Sequence, residues 1–503
     1  MRVPVATRHL LTAIGLGVLA TGISAFRSGT PSFWADEFAS VLAARRSLPQ
    51  LVELFGHVDI VHGVYYLLLR VWTDVFGISE FAVRFPSALA IGAAAAGLWM
   101  LVARLSRPGI ATLATLIFAI LPRVTLIGTE GRGFALALAL LVWAILALVV
   151  LVERPTVRRR DWVWWSVLVS AGIAVFMYAL LVWIAVFAWV WWVHREKLGT
   201  LLRFGALSVA IASPVVIGGI LQAGQIGWVD NAGISLESVF VTLWFGSPFL
   251  AGAAWALMLC AGILVPTALR SHGGGPERAL LLLATGWALG PPLLLLLVSV
   301  VYPTFVPRYL ALGTPAVAIL IALGISTAIR FVLRPFIGPA GTVPARSHVP
   351  TVILGSLAVL LVGALALPGY LDQRAPLAKG SDARQVAEYI GAHARPGESI
   401  VFDLDRNPGA SPRRGLSVYP EHYAGLRTPG VVHTHLELGG FNDEVLPVAD
   451  TVIDPESRVL WLVVTQPQRE RRAQQNIAAL AAQGFSPAGE HILGRSVVVE
   501  LRR

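Results

Sequence analysis

The chain has 503 residues, 56% of them hydrophobic and only 14% charged, with 16 Trp and a mean hydropathy of +0.71. Soluble domains carry about 25% charged residues, so this composition excludes an ordinary soluble protein. Cys260 is the single cysteine, which excludes an internal disulfide and a multi-Cys metal site; it lies in an apolar run and reads as core filler.

Apolar runs recur along the chain at Leu10–Ile23, Phe81–Val102, Ile110–Leu121, Phe134–Leu151, Trp162–Val193, Phe204–Leu221, Val239–Leu264, Ala279–Val301, Leu310–Ile329 and Thr351–Leu367. Most approach the roughly 17–25 residues that a bilayer helix needs. Trp162–Val193 is too long for one span and predicts two helices turning near Met177-Tyr178, giving about eleven spans. Arg and Lys test the count. Arg2 and Arg8 precede the first span, and Arg104, Arg107, Arg154, Arg158-Arg159-Arg160, Arg195, Lys197, Arg203, Arg270, Arg278, Arg330, Arg334 and Arg346 fall in alternate loops thereafter. With the N-terminus cytoplasmic, every inner loop is positive, and the loop Gln222–Glu237 opposite carries no Lys or Arg. The net charge of +10 follows from topology and points to no nucleic-acid partner. Gly22-Ile23-Ser24 and Ser28-Gly29-Thr30 resemble a signal-peptidase site, but neither is Ala-x-Ala, and the alternation needs the first run as an uncleaved span.

Between the first two spans lies a polar and aromatic loop, residues 27–80. Trp34-Ala35-Asp36-Glu37 opens it, and charge at the mouth of a membrane domain usually marks function. A bland alternative has Ser32 capping a helix with Asp36 and Glu37 in its first turns. The segment to Leu42 has apolar residues at helical spacing and is expected to lie along the membrane surface. His57, Asp59 and His62 follow, then Tyr65-Tyr66. Their spacing fits no standard metal site, so substrate hydrogen bonding or a structural His–Asp pair is expected instead. Seven arginines, at 45, 46, 70, 84, 123, 132 and 308, fall on the outer face, where orientation does not require them. Such a set suits an anionic ligand, phosphate above all; some of them instead pair with Asp36, Glu37, Asp59, Glu80 or Glu130.

Beyond Leu367-Pro368-Gly369 the chain turns polar. Asp382–Ala394 and Gln468–Gln483 predict helices; Ser399–Asp403, Val459–Val464 and Ser496–Leu501 predict strands. The expected division is a transmembrane catalytic domain over 1–370 and a small α/β domain over 371–503, extracytoplasmic if the spans are odd in number. No nucleotide or zinc motif is found in the tail. Its candidate surface features are Arg413-Arg414 and Tyr419-Pro420-Glu421-His422-Tyr423, which a loop packing on the rest of the chain would also explain.

Asp36-Glu37 in the first outer loop, the His-containing segment with paired tyrosines, and Arg84-Phe85-Pro86 before the second span together resemble the GT-C integral-membrane glycosyltransferases. The branch is the polyprenyl-phosphate-mannose/protein-mannosyltransferase and aminoarabinose-transferase-like superfamily, glycosyltransferase family 39-like. Thr129-Glu130-Gly131-Arg132-Gly133-Phe134 and Pro307-Arg308-Tyr309 resemble two further segments of that superfamily, and the resemblance spans roughly residues 10–370. It implies a polytopic α-helical cell-membrane protein that moves a sugar, mannose or similar, from a polyprenyl-phosphate donor to an extracytoplasmic glycan, lipid or protein acceptor. Under this resemblance Asp36 is the base and Glu37 orients the acceptor or tunes Asp36; Arg132 and Arg308, with Arg84, bind the phosphate. His57, Asp59, His62, Tyr65, Tyr66, Glu130 and Tyr309 bind substrate. A single displacement inverts the anomeric carbon, and no cofactor or metal is expected. A transporter or flippase for lipid-linked sugars is the alternative, but such proteins usually show internal repeats and midplane polar residues, and neither is found here. A catalytically dead scaffold is opposed by the intact Asp36-Glu37 pair.

Overall fold

A computed structural model describes residues 4–226, 229, 234–270, 275–333, 348–403, 411–465 and 470–503. Arg334 and Arg346, the first residues of the Gln468–Gln483 helix and part of the Gln222–Glu237 loop lie outside the described residues. Two compact units form: Met1–Phe26, Val61–Tyr65 and Arg84–Leu371 make a helical unit, while Arg27–Ile60, Tyr66–Val83 and Asp372–Arg503 make a second, the loop–tail unit.

In chain order the first helices are α1 (Val5–Ala25), α2 (Ala35–Ala44), α3 (Leu48–His57), α4 (Gly63–Phe76), α5 (Glu80–Leu105), α6 (Pro108–Ile120) and α7 (Pro122–Ile127). There follow α8 (Phe134–Glu153), α9 (Arg159–Val175), α10 (Ala179–Val193), α11 (Leu198–Leu221), α12 (Pro248–Arg270), α13 (Gly275–Ser299), α14 (Thr314–Leu333) and α15 (His348–Asp372). The predicted apolar runs are helical apart from a break in Val239–Leu264, and the long one divides at the expected place, with Phe176 extended between α9 and α10. Among the described residues, 7 helices are long and apolar enough to cross a membrane, and three shorter ones are apolar. The run Val239–Leu264 is not one helix as expected. A π turn over Ser238–Thr242 stops, Gly246 takes φ +66°, and α12 starts anew at Pro248. Proline has no N–H to donate into a continuing helix, and only glycine enters that φ region without strain.

Within the helical unit α8 is the most enclosed span, while α1, α11 and α15 leave most of their apolar surface exposed. Exposed Leu11, Val18, Val352, Leu360 and Leu361 are what a protein facing hydrocarbon carries. Such helices associate through small residues and polar bonds. A Cβ on Gly324 of α14 would lie 2.1 Å from the Leu257 carbonyl oxygen of α12, and one on Gly92 of α5 would lie 2.7 Å from that of Gly17 on α1. Tryptophans bond helix to helix: Trp165 Nε1 donates to the Ala144 carbonyl (3.1 Å) and Trp189 Nε1 to that of Ala279 (2.9 Å). At one end of the bundle Arg104 pairs with Glu153 (2.6 Å), and Arg107 and Arg330 meet Glu277 at 3.4 and 3.9 Å. These residues come from the loops predicted to be positive and cytoplasmic. The other end of α8, about 30 Å away at 1.5 Å per residue, begins at Phe134.

The loop–tail unit contains α16 (Ala383–His393), α17 (Gly415–Val418) and α18 (Glu470–Ala481), with strands β1 (Ser399–Phe402), β2 (Val431–His433), β3 (Glu444–Val445), β4 (Val459–Thr465), β5 (Ser486–Leu493) and β6 (Ser496–Arg502). The main sheet runs β1-β4-β6-β5, with β1 parallel to β4 and the others antiparallel; β2 and β3 form a separate pair. Leu460, Leu462, Leu480, Phe485 and Leu501 fill its core. β5 was not predicted. It is an edge strand, exposed almost throughout and bulged between Pro487 and Gly489, so it lacks the apolar alternation that marks a strand.

The alternative reading of Ser32 as the cap of α2 is corrected. Trp34 occupies that position with no side-chain capping bond, and the Ser32 hydroxyl accepts from the Arg384 N–H (3.0 Å). The apolar face of α2 is covered by protein: Phe38, Val41 and Leu42 are buried, and α17 of the tail packs on the helix. Gly324→Ala is expected to lower the thermal midpoint of the detergent-solubilised protein by several degrees, overpacking costing about 1–3 kcal/mol. Gly252→Ala, where a Cβ meets nothing within 4 Å, should leave it unchanged; equal midpoints for both variants would contradict the tight α12–α14 contact.

Candidate active site

The residues singled out in the sequence fall into two sets, one in each unit. In the helical unit, α6 stops where Leu121 turns extended before Pro122. The short α7 then carries Arg123, whose Nε donates to the Leu243 carbonyl (2.8 Å) and whose Nη2 donates to that of Thr242 (2.5 Å). Glu130 and Arg308 are its charged neighbours. The Glu130–Gly133 turn is fixed from α5: the Ser87 hydroxyl donates to the Glu130 carbonyl (2.5 Å) and lies 3.4 Å from that of Arg132. Gly133 allows the turn to close on α9, since a Cβ there would lie 3.0 Å from Val175 and 3.5 Å from Tyr65. Arg84, one turn before Ser87, is fully buried, as are Glu130, Arg132 and Tyr65. Arg308 and Tyr309 are half-buried on the 3₁₀ turn before α14, and His62 is half-buried just before α4.

Beside Arg308 stands a wall of rings. Its guanidinium lies 5.7 Å from the Tyr309 ring centre; Tyr309 contacts Tyr178 (4.6 Å) and Phe176 (5.9 Å), and Phe176 contacts Phe134 (4.9 Å). In the sequence Tyr178 stands out only at a turn and Phe176 is not singled out, because nothing local ties either to residue 309. Cations beside π faces are chemically suited to an anionic head group with an apolar or sugar body.

In the loop–tail unit, α2 holds Asp36 half-exposed and Glu37 fully buried. Asp59 has φ +59°, an uncommon conformation for a residue with a side chain, and its carboxylate accepts from the Tyr66 hydroxyl at 2.6 Å. The cation among these groups comes from the tail. Arg414 donates to the Ala35 carbonyl (3.1 Å) and to Asn442 Oδ1 (2.6 Å), and Asp36, Tyr66, Asp443 and Asp59 all act on its charge. Burial pushes its pKa down to about 10 against the pull of those groups, so it remains protonated at neutral pH. Arg413-Arg414 is thus not a surface feature but a half-buried part of the acidic cluster. Arg413 meets Asp443 (3.2 Å), and the His435 ring Nδ1 lies 2.9 Å from the same carboxylate. Burial alone would raise the Asp443 pKa; the side-chain and backbone hydrogen bonds from His435, together with Arg413, outweigh it and hold it at about 2.

Other outward arginines fasten backbone. Arg46 donates to the His435 (3.1 Å) and Gly440 carbonyls and Arg45 to that of Ser417. Glu80 takes its cation from the tail, Arg384 (3.2 Å), and accepts from the Tyr419 hydroxyl (2.8 Å). His57 is exposed and abuts Gly439. Among the described residues no three metal-ligating side chains gather.

Residues 63–217 match the family model described as dolichyl-phosphate-mannose-protein mannosyltransferase. Comparison with curated protein sequences gives no match. Solved structures are similar over the whole chain. ArnT from Cupriavidus metallidurans, bound to undecaprenyl phosphate, aligns at TM-score 0.54 and 14% identity, covering 98% of each chain. The chain has the GT-C fold. The Archaeoglobus fulgidus oligosaccharyltransferase, tethered with an acceptor peptide, aligns at TM-score 0.51 and 10% identity over 95% of this chain and 72% of its own. The chain is a multi-pass membrane protein, as its apolar helices require.

The acidic cluster yields a pH prediction. A carboxyl held at about 2 when folded and about 3.9 when unfolded stabilises fully above pH 4, and that contribution is lost as pH falls towards 2. Stability should therefore fall across this window in the parent and less steeply in Asp443→Asn, as read by urea unfolding at each pH; parallel curves would contradict the pairing.

Proposed function

We propose that this protein is a membrane glycosyltransferase moving a sugar from a polyprenyl-phosphate donor to an extracytoplasmic acceptor, with inversion. The observation that carries the reading is the convergence, in the helical unit, of segments far apart in sequence: Arg123, Glu130 and Arg308 as mutual charged neighbours beside the ring of Tyr309. Arg308 and Arg132, with Arg84, take the lipid phosphate, and the rings accept the prenyl stem or the sugar. The family match over 63–217 and the undecaprenyl phosphate bound by ArnT support that donor class. Mannose or a pentose is the proposed sugar.

Asp36 is the proposed base, being the more exposed of the pair, with Glu37 buried behind it as a positioning residue. The acceptor hydroxyl gives its proton to Asp36 as its oxygen attacks the anomeric carbon. The bond from that carbon to the phosphate oxygen breaks, and the electron pair leaves with the lipid phosphate, whose charge the arginines stabilise. His57, Asp59, His62, Tyr65, Tyr66, Glu130 and Tyr309 are proposed to line the donor and acceptor sites. Eleven crossings from a cytoplasmic N-terminus put residues 27–80 and 371–503 outside the cell membrane.

Purified protein should transfer label from a radiolabelled polyprenyl-phosphate sugar and not from a nucleotide sugar without lipid carrier. Asp36→Asn should cut turnover by about 10²–10⁴ with donor binding retained, whereas Arg308→Ala should weaken donor binding as well. Near-normal turnover in folded Asp36→Asn would remove Asp36 as the base. A C-terminal reporter should be active only if it works outside the cytoplasm; activity of a cytoplasm-dependent reporter would reverse the topology.

A further inference from the structure

The loop–tail unit holds a half-open cavity of about 200 Å³ that the reading above does not use. Its walls come from α2, the turn before α17 and the segment from His435 to Val445. Two rings, Phe402 and Phe441, face polar groups from Arg413, Arg414, Asn442 and Asp443. The two arginines are paired, Arg413 with Asp443 and Arg414 with the group containing Asp36 and Asp59, while Asp403, also in the lining, accepts from the Asn476 side chain (3.0 Å). A lining with paired charges offers little to a phosphate or carboxylate, which would meet Asp443 as well as the arginines. It offers much to a neutral polyol, whose hydroxyls both donate and accept and whose C–H faces settle on rings.

Size argues in the same direction. Drug-sized sites run to about 300–1,000 Å³, so this cavity suits one small ring and not a peptide segment or a lipid chain. Its position matters more. Arg414 lines the cavity and also interacts with Asp36, and Phe441 packs edge-on against Tyr66 (6.4 Å), which holds Asp59.

We infer that the acceptor is a glycan, and that the cavity holds one of its neutral sugar rings between Phe441 and the Arg414–Asn442 pair. The assignment rests on the transferase reading for the word acceptor, but the binding of a neutral sugar does not. A ring held there presents a hydroxyl towards the carboxylates that Arg414 gathers, and so the tail selects the acceptor.

Binding is measured first on the full chain in detergent without donor, by saturation-transfer difference NMR with methyl glycosides of mannose, arabinose, galactose and glucose. At least one should bind, and Phe441→Ala should weaken it at least tenfold. If Phe441→Ala does not fold, Asn442→Ala, an exposed position, should weaken it several-fold. No binding by any of the four, or binding equal in both variants, overturns the proposal whether or not the protein proves to be a transferase. Transfer is then measured to octyl glycosides and to a Ser/Thr peptide. A raised KM for the glycoside in the variant, with donor binding intact, supports the proposal; transfer to the peptide alone, with KM unmoved, overturns it. Glycoside binding in a protein that transfers nothing would sink the transferase reading and leave the cavity assignment standing.

Discussion

Backbone carbonyls that lose their helical or sheet partners must find donors elsewhere, and in this chain guanidinium groups supply many of them. Where the run after residue 237 breaks before α12, the carbonyls of Thr242 and Leu243 point at Arg123. Irregular backbone at Gly29 and Thr30 is met by Arg384, and that at His435 and Gly440 by Arg46. A planar group with five donors suits this task better than an ammonium, and it stays charged when buried. The breaks are not incidental, because they let short segments such as α7 and the 310-turn before α14 present side chains that a continuous span would bury against its neighbours.

The same constraint explains which parts of the fold were legible. An apolar run long enough for a bilayer has one outcome, so the predicted spans other than Val239–Leu264 are helical without such a break, and even the turn at Met177-Tyr178 stood out by length alone. Core strands β1, β4 and β6 were legible for the same reason, each being a short apolar block. Edge strand β5 was not, because half its bonds face water and its sequence follows no face. The Arg-x-Pro, Glu-x-Arg and Pro-Arg-Tyr segments were found as motifs, but their mutual arrangement depends on contacts such as Ser87 to the Glu130 carbonyl. The outward arginines were expected to serve phosphate or to pair with loop carboxylates; Arg45, Arg46 and Arg123 bind carbonyls instead. Glu80 draws its cation from Arg384, some three hundred residues away, where no spacing rule reaches.

The site proposed in the helical unit relies on arginine charge, which neutral pH does not move. Arginine beside tyrosine rings gives an anionic head group a planar, permanently cationic partner, and a dry surrounding makes each such contact stronger than it would be in water. Glu130 among these cations limits their mutual repulsion, which matters because Arg308 and Arg123 act on one another.

The loop–tail unit solves the opposite problem. Asp36, Asp59 and Asp443 bring three carboxylates to one cation, Arg414, from positions spread across the chain. Leaving a partly buried carboxylate cluster without its cation costs about 3–5 kcal/mol, enough to reshape a loop. The bond from Tyr66 and the left-handed turn at Asp59 add to this a carboxylate aimed by its own backbone, a conformation that persists only where surroundings enforce it. It follows that the first loop does not acquire its charge arrangement alone. The tail contributes counter-charge, and sequence reading could not place it because Arg414 also acts on Asp36 and Asp59, which lie in the first loop far along the chain.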